Sequence, residues 1–273
     1  MKDELNNNLD CECNFKEYWG PDYLRPYLTF SRKGEHFCIY CGEKSDTREH
    51  VPSKVFLNEP FPADLPVLPA CFHCNNGFSE DEAYVATYID CMKMLSGYSQ
   101  NLSEANQKRI YKNTAFIDSQ RDLLNYYQSK EMPLNSKIIR IVTKLAVGHL
   151  VYELCEGYAK DGCCISPSSV NYKFLFDLSE SERKEFDEFI IMNDKVLPSM
   201  GSRVYNKLFV LEPILKELNG SLTQKISLFI MNWTDIQEGC YKYIAWYENN
   251  GIFHVRIVIK DFLYAKVQFM QEK

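Results

Sequence analysis

The chain has 273 residues, 45% hydrophobic and 14% aromatic, which is enough apolar surface for a packed core, so a folded chain rather than a disordered one is expected. No run approaches the roughly 18 uninterrupted apolar residues of a membrane span, and the polar start from Met1 to Asp10 is unlike a secretory leader, so a cytoplasmic location with no membrane partner is expected. A net charge of −6 excludes a uniformly basic nucleic-acid binder and leaves room for a local basic patch only.

Residues 1–35 are mixed, with aromatic anchors at Phe15, Tyr18, Trp19, Tyr23, Tyr27 and Phe30. From 36 to 78 the texture shifts to short apolar pieces, prolines and paired cysteines, which suits a small metal-held fold. Ser79 and Glu82 read as a capping box opening a helix that carries Tyr84, Tyr88, Cys91, Met92 and Leu95. A second helix is predicted over 104–130, before Pro133, and a third over 137–159. Ser179 and Glu182 form another capping box, for a helix running to about 193. Strands are predicted at 203–212, 226–233, 240–248 and 252–260, the last two joined by the turn Asn249-Asn250-Gly251. The expected division is a metal-held module over 1–100, a helical middle over 101–200 and an antiparallel sheet over 201–273 that packs with the helices as one α+β unit.

Eleven cysteines in such a chain point to metal ligands and buried thiols rather than disulfides. Cys38/Cys41 and Cys71/Cys74 are two CxxC pairs. Together they offer the four-sulfur tetrahedral shell that zinc prefers, and that shell leaves no open position, so the metal is expected to be structural. A thiol redox pair and unrelated buried cysteines are the alternatives. A redox CxxC normally lies beside a βαβ pattern, and none is visible. Cys91, Cys155, Cys163, Cys164 and Cys240 are expected to be buried thiols. Cys11-Glu12-Cys13 stays open as an accessory metal or redox site.

The span between Cys41 and Cys71 exceeds the roughly 15–20 residues of compact zinc ribbons, so it holds something more than a connection. It contains Arg48-Glu49-His50-Val51-Pro52 and Asp64-Leu65, and the second cysteine pair, Cys71-Phe72-His73-Cys74, runs straight into Asn75. In this order and spacing residues 38–77 resemble the HNH, or ββα-metal, endonuclease family. The resemblance implies a zinc-stapled ββα-metal (treble-clef) module in an α+β chain. It implies His50 as general base, Glu49 and Asn75 as ligands of one catalytic Mg²⁺ or Mn²⁺, and Asp64 in the place of the loop-fixing asparagine. Glu49 stands where the family more often has aspartate, Asp64 replaces an amide, and Asn76-Gly77-Phe78-Ser79 replaces the usual Lys and Gly. Asp81 or Glu82 is a candidate outer ligand, with helix capping the competing role for Glu82.

The implied chemistry suits these groups. A neutral imidazole takes a proton from water at neutral pH, and a hard cation on oxygen ligands neutralises the phosphate. The implied partner is nucleic acid, DNA in preference to RNA, with room for a protein partner that targets or regulates. Restriction, phage defence and toxin systems are where such modules recur. Glu49 and His50 are neighbours in a strand, so their side chains point to opposite faces unless a bend redirects one. His73 is expected to be exposed and His149 to be a satisfied core residue. His254 and Arg256 share a face of the last hairpin, read as open to solvent with substrate contact as the alternative, and His36 is a candidate cleft residue. Lys44, Arg48, Lys54, Arg32 and Lys33 are candidate phosphate contacts. The rival reading is a non-catalytic zinc-stabilised module that binds nucleic acid or protein.

Overall fold

In a computed structural model the described residues are 37–154, 166–192, 208–211, 214–216, 222–225, 228–248 and 251–270. Two short strands, β1 (Thr47–His50) and β2 (Val67–Ala70), pair antiparallel with Thr47 opposite Ala70 and His50 opposite Val67. Helix α1 (Phe72–Leu95) follows directly. It begins seven residues before the predicted capping box at Ser79. The Cys71 thiol caps it instead, accepting from the Cys74 amide, while Asp46 Oδ1 accepts from the Phe72 amide at 2.6 Å. Ser79 lies inside the helix, where its hydroxyl donates to the Asn76 carbonyl.

The helix expected over 104–130 is two helices, α2 (Glu104–Arg109) and α3 (Ala115–Ser129). The break falls where Asn113 Oδ1 accepts from the Ala115 amide at 3.1 Å, a side-chain alternative to the helical ladder. Tyr84 and Tyr88 of α1 donate to Asp118 (3.0 Å) and Asp122 (2.8 Å) of α3 and lock the two helices together. After Pro133, Asn135 Oδ1 accepts from the Lys137 amide and opens α4 (Ser136–Leu154). Nearly every residue of α4 from Ile141 to Glu153 is buried, because α4 lies between α1 and the large sheet.

That sheet has five antiparallel strands in the order β3-β12-β11-β10-β9, formed by β3 (Ser169–Phe174), β9 (Thr234–Gln237), β10 (Tyr241–Glu248), β11 (Ile252–Ile259) and β12 (Leu263–Met270). Leu263, Ala265, Val267 and Phe269 are buried in alternation, the period of a sheet with one face on the core. Strands β10 and β11 follow the predicted bounds closely. Asn249 and Asn250 lie outside the described residues, and Gly251 has φ +84°, the left-handed conformation a tight turn requires. Beside the large sheet stand a three-stranded one, order β4-β8-β5, from β4 (Ile190–Met192), β5 (Leu208–Leu211) and β8 (Leu228–Met231), and a pair, β6 (Ile214–Lys216) with β7 (Leu222–Lys225). The chain is thus mixed α and β, with five α-helices among the described residues.

The capping box at Ser179 forms as expected and opens α5 (Glu180–Glu185), although the helix ends there and strand β4 takes up residues assigned to its extension. The Glu182 carboxyl is held down to about 2 by Lys173 and by the Ser179 amide. Its contribution is therefore complete above the ordinary glutamate range, near 4.3, and fades as pH falls towards 2. Ser179→Ala is expected to cost about 1 kcal/mol in denaturant unfolding at neutral pH, with less loss near pH 2.

Candidate metal centre and its surroundings

The first cysteine pair sits on a knuckle. The Cys38 amide donates to the Glu43 carbonyl, the Gly42 amide to the Cys38 carbonyl, and the Tyr40 amide to Cys38 Sγ at 3.4 Å. The chain turns back through Gly42 at φ +75°, a conformation that a side chain would oppose. The Ile39 amide then reaches the Pro69 carbonyl and stitches the knuckle to β2. The second pair sits at the other extreme of local order, with Cys71 capping α1 and Cys74 in its first turn. The exposed amides and the positive end of the helix favour negative sulfur there.

The four ligand atoms lie within 4.8 Å of one another, and Cys41 Sγ is 3.6 Å from Cys71 Sγ. A tetrahedral zinc with sulfur at about 2.3 Å sets its ligands about 3.8 Å apart, so the four sulfurs suit zinc and need only draw in slightly to bind it. Cys38 and Cys71 are buried, while Cys41 and Cys74 are partly exposed. Burial pushes the Cys38 and Cys74 thiols up. At Cys71 burial also favours the thiol, but the Cys74 amide and neighbouring thiols outweigh it and lower the pKa. A cation among the four would draw all of them to thiolate.

No family model, curated protein or solved structure matches the chain.

Strand β1 places Glu49 and His50 on opposite faces, and the chain bends at once through Val51 and Pro52. Glu49 points inward and is buried, whereas His50 is partly exposed, with its Nε2 covered by the surrounding chain. Asn75, one turn into α1, donates its Nδ2 to Thr47 Oγ1 and to the Arg48 carbonyl, each at 3.2 Å. Asp64 is exposed on the turn just before fully buried Leu65. His73 is exposed, as expected. Arg48 and Lys44 are exposed beside the knuckle, and Lys54 is half-buried over the Phe61 ring.

Sequence reasoning missed the partner of Glu49. Lys144 of α4 reaches Glu49 Oε1 at 2.8 Å and Ser53 Oγ at 2.6 Å, and is ion-paired with Glu82 Oε1 of α1. Only 1% of the Lys144 side chain is exposed. Glu82 therefore caps no helix, and its carboxylate shares the Lys144 ammonium with Glu49. Burial pushes the Glu49 carboxyl up, with Glu82 adding to the rise and the Lys144 ammonium opposing it. One turn further along α4, Gly148 passes Val51 so closely that a Cβ there would lie 3.3 Å from Val51 Cγ2. The available signal was a lone lysine in the apolar run Ile141 to Leu150, since a buried lysine requires an acidic partner. Lys144→Met is expected to lower stability by about 3–5 kcal/mol in chemical denaturation, because two carboxylates lose their counter-charge.

His149 is fully buried, with Nε2 2.7 Å from the Tyr241 hydroxyl and its ring stacked 3.7 Å from that of Tyr243. Cys91 and Cys240 are buried thiols. His254 and Arg256 do not face open solvent: the histidine ring stacks on Trp246 and pairs with Glu248, and the guanidinium pairs with Glu185 of α5, which covers that face. Cys11, Cys13, Arg32, Lys33, His36, Cys155, Cys163 and Cys164 lie outside the described residues. Among the described residues no helix is long and apolar enough to cross a membrane.

Proposed function

We propose that residues 38–77 form a zinc-stapled, HNH-type (ββα-metal, treble-clef) centre that hydrolyses phosphodiester bonds of nucleic acid, DNA in preference to RNA. The observation carrying this reading is the pair of hydrogen bonds from Asn75 Nδ2 to Thr47 Oγ1 and the Arg48 carbonyl. They tie the first turn of α1 to the strand that bears His50, inside a clasp of four sulfurs. In this reading His50, at the end of β1, takes the proton of the attacking water. Arg48 and Lys44 hold the flanking phosphates, and Asn75 keeps the β1–α1 angle that aims the imidazole. Zinc holds the frame and takes no part in the chemistry. A role in bacterial phage defence belongs to the same proposal.

The electrophile is the part that the side chains do not supply as they stand. A Mg²⁺ or Mn²⁺ ion would stabilise charge on the phosphate if Glu49 and Asn75 held it. Asn75 keeps its Oδ1 for a cation, but Glu49 is buried against Lys144, so the two do not fit a hard cation as a pair in this arrangement. That ion pair favours a second reading, a non-catalytic zinc platform for nucleic acid or protein. The two part in one experiment. Zinc-loaded protein is incubated with plasmid, single-stranded DNA and RNA, with Mg²⁺, with Mn²⁺ and with neither. Nicked plasmid in any arm supports hydrolysis, whereas binding in gel shift with no cleavage in any arm supports the platform.

A further inference from the structure

The carboxylate that the resemblance assigns to a hard cation already has a cation. The Lys144 ammonium meets three oxygens, Glu49 Oε1 at 2.8 Å, Ser53 Oγ at 2.6 Å and Glu82 Oε1. An ammonium has three N–H bonds, so its donors are all used. The three acceptors come from β1, the bend after it and α1, while the ammonium comes from α4, so four separate stretches of chain converge on one charge. The Phe78 ring lies 5.4 Å from the same nitrogen, and Arg140, which covers that ring at 4.8 Å, pairs with Asp81 rather than with Glu49 or Glu82.

Three oxygens around one positive centre form the kind of shell a small divalent ion takes, and two of them are carboxylates. Such an ion and the ammonium cannot share it, because each needs the same oxygens and like charges repel at that range. Expelling the ammonium would strand it in a buried site. We infer that Lys144 is the built-in cation of this site: its ammonium excludes Mg²⁺ and Mn²⁺ from Glu49, and removing that charge uncovers a site for one divalent ion on Glu49, Glu82 and Ser53. Two carboxylates against one ammonium leave an excess negative charge, which is why the uncovered site would bind a doubly charged ion.

The test is Mn²⁺ uptake, read from the electron paramagnetic resonance of the free ion, on full-length zinc-loaded protein. Wild type and Glu49→Gln are expected to take up equal amounts. Lys144→Gln is expected to bind one further equivalent at least tenfold more tightly, and Lys144→Gln/Glu49→Gln to lose it. The inference is overturned if wild type binds an equivalent that Glu49→Gln abolishes, or if folded Lys144→Gln binds no more than wild type. Should Lys144→Gln fold poorly, a melting temperature that rises with Mn²⁺ in that variant and not in wild type is the same result. If it does not fold at any Mn²⁺ concentration, the comparison of wild type with Glu49→Gln decides alone. The inference does not rest on the hydrolytic reading: uptake tests one and cleavage the other.

Discussion

Cys71→Ser is expected to release the zinc and loosen the polypeptide around β1, β2 and the start of α1. Serine is itself a good helix cap, so the substitution keeps an acceptor for the Cys74 amide and removes the metal bond alone. Structural zinc contributes on the order of 10 kcal/mol in small zinc-dependent modules. The loss here is expected to be smaller, since Ile39, Val51, Phe56, Leu65 and Leu68 belong to the same apolar core as α1 and α4. Elemental analysis should find one zinc per wild-type chain and almost none in the variant, with a melting temperature lower by many degrees. Chelation of the wild type should move it the same way. A variant that melts like its parent with its zinc in place would end the four-thiolate assignment.

His50→Ala is expected to keep the zinc and the fold while losing roughly 10²–10⁴ in cleavage rate. The side chain is partly exposed and sits at the end of β1 rather than in the apolar core, so its removal is expected to leave the fold in place. A catalytic base and a merely structural histidine therefore separate cleanly: the first changes turnover at constant melting temperature, the second changes both. The comparison is made on plasmid under whichever metal condition supports cleavage, with the circular dichroism of both proteins as the fold control. A His50→Ala protein that nicks as fast as wild type removes the base from the proposed mechanism.

The sequence shows the capping-box pattern twice, and the two instances diverge for a physical reason. At Ser179 nothing competes, and the box forms with Glu182 reaching back to the cap. At Ser79 the cysteine pair has already started the helix, and Glu82 answers a lysine from α4 instead. Asn75, Asn76 and Gly77 are weak helix formers, which hid the first two turns of α1 from propensity. The cysteine spacing made the metal clasp readable, because a four-sulfur shell is written in local sequence. Glu49 was readable as an acid beside His50 but not as a buried ion, since its partner is 95 residues away. Strand β12 carries a plain two-residue alternation from Leu263 to Phe269 and could have been found, whereas β9 and β3 are held by neighbours that no local pattern announces.

Helix α4 serves two masters: Lys144 and Gly148 face the strand that bears His50, and one residue on, His149 is wedged against Tyr241 and Tyr243 of the large sheet. A fragment excised near residue 100 would carry Glu49 without its counter-ion and Val51 without its cover. Transplanting the cysteine clasp into another host would therefore require α4 to travel with it, and α4 in turn brings the sheet as its splint.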